Sequence, residues 1–238
     1  MMTICNNRYI TVLFASLCAI AITGHNLMAQ NTNKFSVRIN AGPALPLGQL
    51  ASQHYNTGGY ALSGISAVAE GIWYFCPELG VGIAVSTTSF PFADGAYAHD
   101  MVNSDPFMET LYLKSDAYKV RTLTAGLYYC KKIAGKFSAT GKLAGGLLWA
   151  QTPDHLFSAS YFTVPNFAFK ITPSHNTTST FQSGLALQYK LFDHVELSLI
   201  ADYTLAVPAF GFHTSTSSYV KKITFSYLNT MIGIDFRF

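Results

Sequence analysis

From Phe35 onward, apolar side chains fall on every second position, in segments separated by polar or glycine-bearing connections. A period of two places alternate residues on opposite faces of a β-strand. Eight such segments can be traced: 35–41, about 60–74, 79–86, about 119–130, about 136–149, 181–191, 195–203 and about 222–238. One face carries Phe35, Val37 and Ile39; Leu79, Val81, Ile83 and Val85; Leu123, Ala125, Leu127 and Tyr129; Leu185, Leu187, Tyr189 and Leu191; and Val195, Leu197 and Leu199. The last segment adds Leu228, Ile232, Ile234, Phe236 and Phe238. The opposite face is small or polar, as in Ser36-x-Arg38-x-Asn40, Gly80-x-Gly82-x-Ala84-x-Ser86 and Gln182-x-Gly184-x-Ala186-x-Gln188.

Connection lengths alternate. Short turns fall near 75–78, 131–135 and 192–194, and long connections near 44–59, 89–117, 150–180 and 207–221. Short turns at one end and long loops at the other are the plan of an antiparallel up-and-down barrel in a membrane. Long connections without regular structure are uncommon inside compact soluble domains. Eight strands close on themselves, which removes the unpaired edges that lipid cannot satisfy. The predicted fold is therefore all-β, an eight-stranded antiparallel up-and-down transmembrane β-barrel. A soluble lipocalin-type barrel has the same strand number but turns its apolar face inward. A face of Gly, Ala, Ser and Thr makes a poor water-facing exterior and suits a narrow lumen.

Composition sharpens the choice. Of 238 residues, 50% are apolar and only 11% are Asp, Glu, Lys or Arg. A soluble domain carries about 25% charged residues. Aromatics gather towards the segment ends: Trp73, Tyr74, Phe75, Tyr128, Tyr129, Phe137, Phe192, Phe236 and Phe238 near the short turns, and Trp149, Tyr203, Phe225 and Tyr227 near the long loops. Two such bands are expected where amphipathic rings meet both membrane interfaces.

The first 29 residues read as a signal peptide, with Arg8 as its positive end, Tyr9–Ile22 as its apolar core and Ala29 before the cleavage point. The barrel domain is then 30–238. Cys18 follows Leu17 rather than a small residue, which argues against a lipoprotein. Arg8 is the one formal charge removed, leaving a net +2. No basic cluster points to nucleic acid.

The end of the chain, Ile232-Gly233-Ile234-Asp235-Phe236-Arg237-Phe238, resembles the C-terminal signal of outer-membrane barrels. The whole stretch 30–238 resembles the small OmpA-like and PorT-like outer-membrane β-barrel domains in strand count, loop alternation and terminal Phe. The resemblance implies a bacterial outer-membrane location with both termini periplasmic. It also implies that Ile234, Phe236 and Phe238 are read by the barrel-assembly machinery. The peptidoglycan-binding domain of full-length OmpA proteins is not expected after residue 238.

The inward phase collects eight charges, four of each sign: Arg38, Glu70, Lys142, Lys190, Glu196, Asp202, Asp235 and Arg237. Charges in a narrow lumen of low dielectric need partners, so a self-neutralising network that closes the lumen is expected, with Arg38 beside Asp235 or Arg237. Two cysteines, Cys76 and Cys130, fall at the short-turn ends of neighbouring segments. The oxidising periplasm makes a disulfide between them an expectation.

Histidines raise the question of an enzyme. His155 with Ser158, or His213 with Ser215, are the pairs that a lipid-modifying activity at the outer rim suggests, and a nucleophile and its base must meet in space. No metal-ligand spacing is present, and no cofactor is expected. The long loops carry Tyr55, Phe90, Phe92, Tyr97, Phe107, Tyr161, Phe162, Phe167, Phe169, Phe210, Phe212 and Tyr219, residue types that mark interaction surfaces when exposed. Residues 167–171 alternate and suggest an extension of the barrel wall. The leading expectation is a non-enzymatic outer-membrane barrel with a structural or loop-mediated binding role. Its partners would be outer-membrane lipid, the assembly machinery, and an extracellular ligand or envelope protein. A lipid-modifying enzyme and a narrow channel for small or apolar solutes are the alternatives.

Overall fold

Alternation becomes a closed wall in the computed structural model, which describes residues 34–162, 167–213 and 218–238. The expected signal peptide and Ser215 lie outside the described residues. Eight strands form the barrel: β1 (Phe35–Leu47), β2 (Gly64–Tyr74), β3 (Leu79–Phe90), β5 (Tyr118–Ala134), β6 (Phe137–Gln151), β9 (His175–Phe192), β10 (Val195–Ala206) and β13 (Phe225–Arg237). Each pairs antiparallel with its sequence neighbour in the wall, and β13 returns to β1 to close the ring. Reciprocal backbone bonds between Phe238 and Phe35, at 2.8 and 3.2 Å, finish that seam.

The wall is inside out relative to a soluble protein. Ile39, Leu143, Leu199 and Ile232 are each about 60% exposed, and Ile65 and Leu185 more than 70%. Burying a large aliphatic side chain stabilises by about 1.5–3 kcal/mol, so water is the wrong solvent for this face and a bilayer core the right one. The twelve residues of β10 match the length a tilted strand needs to cross it. The apolar exterior and the closed ring together make this a transmembrane β-barrel.

The aromatic bands are thinner than the sequence suggests. Trp73, Phe75, Tyr129, Phe137, Phe192, Phe236 and Phe238 face outward at the short-turn end, and Trp149 and the half-buried Tyr203 do so at the other. Tyr74, Tyr128, Phe225 and Tyr227 instead point into the lumen and are buried. They sit on the inward phase of their strands, and phase overrides position along the strand.

Among the described residues, the long connections contribute two helices, α1 (Gly48–Ala51) and α2 (Asp94–Ser104). They also form a three-stranded sheet of β4 (Met108–Ser115), β7 (His155–Tyr161) and β8 (Phe167–Ile171), and a hairpin of β11 (Ala209–His213) and β12 (Ser218–Lys222). Residues 167–171 thus belong to a cap sheet rather than to a taller wall. The second wall strand begins at Gly64, not Tyr60, because the chain breaks out of extended geometry at Tyr60, whose φ is 53°. Ala61 then makes an isolated bridge to Phe92.

Candidate functional site

Two regions gather the polar and aromatic side chains that a membrane-facing wall cannot use: the lumen and the cap above it.

In the lumen, adjacent registers bring Arg38 opposite both Asp235 and Glu70. The Arg38 guanidinium donates from Nη1 to Glu70 Oε2 at 3.1 Å and from Nη2 to Asp235 Oδ2 at 3.0 Å. Lys142 reaches from β6 to Glu70 Oε1 at 2.8 Å and also bonds Asp202. Ser36 donates to Asp235. Two cations and three carboxylates thus share one layer, and none of the five residues is more than 6% exposed. Gly184 and Gly82 leave the room this needs: a Cβ on Gly184 would collide with the Asp202 carboxylate, and one on Gly82 would meet Tyr128 at 2.8 Å.

Arg237 and Glu196 form a separate pair, 2.9 Å apart, nearer the short-turn rim. Lys190 does not join the lumen set. It bridges Asp193 at 2.9 Å on the exposed turn, because the register shifts between Val195 and Glu196 and the strand end splays into solvent. Cys76 and Cys130 are both free thiols. Cys130 points into the lumen, where Arg237 Nη2 lies 3.6 Å from its sulfur, while Cys76 sits in the turn, so the expected disulfide is not formed.

Towards the loop end the lumen changes character. Hydroxyl pairs come first, Ser66 with Thr88 at 2.9 Å and Ser86 with Thr122 at 2.6 Å. An apolar plug follows, in which Phe90, Phe210, Phe225 and Tyr227 are each 0% exposed. Phe90 packs edge-on to Tyr227 with ring centroids 5.2 Å apart. Phe90 and Phe210 are therefore interior, not the exposed loop aromatics expected from their position in the sequence.

Above the plug, the cap encloses a pocket of about 100 Å³. Tyr60, Phe92, Tyr97, Tyr118, His155 and Phe157 wall it, with Lys221 at its edge. The rings hold one another. Tyr60 meets Tyr97 edge-on at 5.0 Å, and Phe92 meets His155 at 4.7 Å. Phe157 stacks on Phe169 at 4.5 Å. Tyr60 donates to Asp100 at 2.6 Å, and Tyr118 to the Gly59 carbonyl at 2.9 Å. A non-glycine residue in the left-handed region costs on the order of 1–3 kcal/mol and persists where its surroundings over-determine it. Tyr60 has those surroundings: its N–H donates to Ser52 O at 3.0 Å, and its carbonyl accepts from Ala93 N at 2.8 Å.

His155 Nδ1 lies 2.6 Å from Ser115 Oγ, its register partner across β4 and β7. Burial lowers the imidazole pKa to about 4, outweighing the pull of Asp94 and Asp154 in the other direction. The ring is therefore neutral at physiological pH and a weak base. The expected partner, Ser158, sits three residues along the same strand and pairs with Tyr112 instead. Burial also lowers the Lys221 ammonium pKa. No carboxylate lines the pocket, and among the described residues Lys221 has no ion pair. Lys170, another cap cation, is paired with Asp154 at 2.7 Å. Among the described residues no group of His, Cys, Asp and Glu is arranged to hold a metal ion.

No protein-family model matches the sequence, and no curated protein does either. Solved structures of similar outline include Neisserial surface protein A, at 12% identity and a TM-score of 0.48, covering 86% of this chain and 97% of that one. Another is a major outer membrane protein from Thermus thermophilus, at 10% identity and a TM-score of 0.48, covering 86% and 99%. A third is Ail, the attachment invasion locus protein of Yersinia pestis, at 15% identity and a TM-score of 0.44, covering 87% and 99%.

Proposed function

We propose that the protein is a non-enzymatic bacterial outer-membrane barrel with periplasmic termini, a sealed membrane anchor whose folded cap binds a small ligand. The ligand this reading calls for has a flat apolar body and one negative charge. The observation that carries it is Lys221, a half-buried lysine that among the described residues has no ion pair and lines an aromatic-walled pocket. Aromatic faces accept a flat apolar group, and an ammonium relieved of burial by an anion gains a charge-assisted bond of about 1.5–3 kcal/mol. The sealed lumen below argues against passage of that ligand through the barrel. The outward stripe of Ile234, Phe236 and Phe238 is left for lipid and for the assembly machinery.

The test is fluorine NMR of the protein in neutral nanodiscs, titrated with 4-fluorobenzoate and, separately, 4-fluorobenzamide. Benzoate should bind at least about tenfold more tightly than the uncharged amide, the lower end of the charge-assisted range. Lys221→Met should remove that preference. Equal affinity for the two probes, or a preference that survives Lys221→Met, overturns the reading.

A further inference from the structure

Among the described residues, one cation on the outer wall has no side-chain partner and a shaped space beside it. Arg121 stands on the outward phase of β5 and is exposed, as is Lys119 two residues before it. Among the described residues neither side chain makes a hydrogen bond or ion pair. Outward positions below Arg121 are apolar, running Leu123, Ala125, Leu127 and Tyr129. Arg121 therefore sits where the apolar belt ends on the long-loop side. Trp149, its register partner on β6, marks the same level. An indole at the edge of an apolar belt belongs among lipid headgroups.

The register places five outward side chains in one row across five strands. Trp149 pairs with Arg121, Arg121 with Thr87, Thr87 with Ala67, and Ala67 with Ala41. Two large side chains are followed by three small ones. Thr87 and Ala67 leave a groove of about 880 Å³, which continues over Ala69 between Ile39, Val85 and Leu123. It has an apolar floor and a guanidinium at its headgroup end.

We infer that this groove is a binding site for a phosphate-bearing lipid of the leaflet on the long-loop side. The phosphate engages Arg121 and Lys119, and one acyl chain lies over Ala67 and Ala69. Three features select this occupant. A planar guanidinium donates two parallel bonds to a phosphate. Lys119 and Arg121, two strand positions apart at about 3.3 Å per residue, are close enough to serve one headgroup. The groove descends from them into the apolar belt, so a ligand must carry charge at one end and hydrocarbon at the other. A free anion leaves the groove empty, and a zwitterionic lipid presents its own cation to the arginine.

The chain has two tryptophans, Trp73 and Trp149. Trp73→Phe therefore leaves Trp149 as a fluorescent reporter beside Arg121. This variant is placed in vesicles of unlabelled phosphatidylcholine containing about 5 mol% of either acyl-brominated phosphatidic acid or acyl-brominated phosphatidylcholine. Bromine quenches indole on contact. One basic side chain at a membrane surface supports roughly fivefold enrichment of an anionic lipid. The brominated phosphatidic acid should therefore quench Trp149 as if its local fraction were raised about fivefold, while brominated phosphatidylcholine should quench at its bulk fraction. Adding Arg121→Gln and Lys119→Gln should return phosphatidic acid to the phosphatidylcholine level, with quenching by phosphatidylcholine unchanged as the control for folding. Inorganic phosphate at millimolar concentration should leave the excess in place, since it cannot fill the groove. Equal quenching by the two lipids, an excess that survives the double glutamine variant, or full displacement by inorganic phosphate overturns the inference.

Discussion

Lys142 Nζ lies 2.8 Å from Glu70 Oε1, and the two residues come from β6 and β2, strands separated in the wall by β3 and β5. The bond is thus a tie across the lumen rather than along the wall. It also completes a chain, because Glu70 holds Arg38 with its other oxygen and Lys142 holds Asp202. Removing one partner of a buried set leaves a desolvated charge behind, at a cost of about 3–5 kcal/mol. Lys142→Met is expected to lower stability by about that amount, read as a shift in the urea midpoint for unfolding from lipid vesicles. Pairing it with Asp202→Asn should recover part of the loss, since the orphaned charge goes with its partner.

On the proposed reading the lumen is sealed twice, by this charged layer and by the apolar cluster of Phe90, Phe210, Phe225 and Tyr227. The two blocks use different chemistry, so neither depends on the other. Phe90→Ala with Phe225→Ala should leave a planar bilayer without sustained conductance, because the charged layer still fills the cross-section. Adding Glu70→Ala and Lys142→Ala, which removes one charge of each sign, should open a small steady conductance. A conducting wild-type protein contradicts the sealed lumen.

Wall and lumen were legible because a period of two is a local property of the chain, and an inward charge has to find another across a space only wide enough for side chains. Where position was read without phase, the reading failed: Tyr74, Tyr128, Phe225 and Tyr227 lie at strand ends, yet on the inward phase they fill the lumen. Lys190 failed for the opposite reason. Its phase is inward, but the register shift beside Glu196 and a carboxylate three residues away on the turn draw it outside. The cap was hidden because its pairings carry no local signal. Ser115 and His155 meet across 40 residues of chain, and β4 and β7 are short strands from two different loops. Arg121 is legible in the same local way, since an arginine on the otherwise apolar phase of a strand marks where the lipid-facing belt ends.

Cysteine reactivity separates the free-thiol arrangement from a disulfide. Cys130 is buried against Tyr74, Tyr128 and Ile72, with the Arg237 guanidinium over its sulfur. Cys76 is partly exposed on the turn. A membrane-impermeant maleimide applied to folded protein in detergent should label Cys76 at least about tenfold faster than Cys130, since access governs thiol reactivity. Both should label after unfolding without reductant. Failure of both to label in the unfolded, unreduced protein would restore the disulfide.

The cap should weaken in mild acid, and His155 sets the window. Its folded-state pKa is lowered to about 4 by burial, whereas an unfolded histidine titrates near 6.5. Above that value the ring is neutral in both states and costs nothing. As the pH falls below about 6.5, the unfolded cap gains a proton that the folded cap refuses, and stability declines until the folded ring also protonates near 4. The full difference amounts to about 3 kcal/mol at most. Because His155 packs on Phe92 and Phe157 and pairs with Ser115, the loss should be local to β4, β7 and the pocket, leaving the barrel intact. Hydrogen exchange at pH 7.0 and 4.5, corrected for intrinsic rates, should show faster opening at the lower pH for residues 108–115 and 155–161 but not for β5 or β10. His155→Gln, which cannot titrate, should flatten that difference while slightly raising exchange at neutral pH. A cap equally protected at both pH values, or one whose acid sensitivity persists in His155→Gln, rules out His155 as the cause.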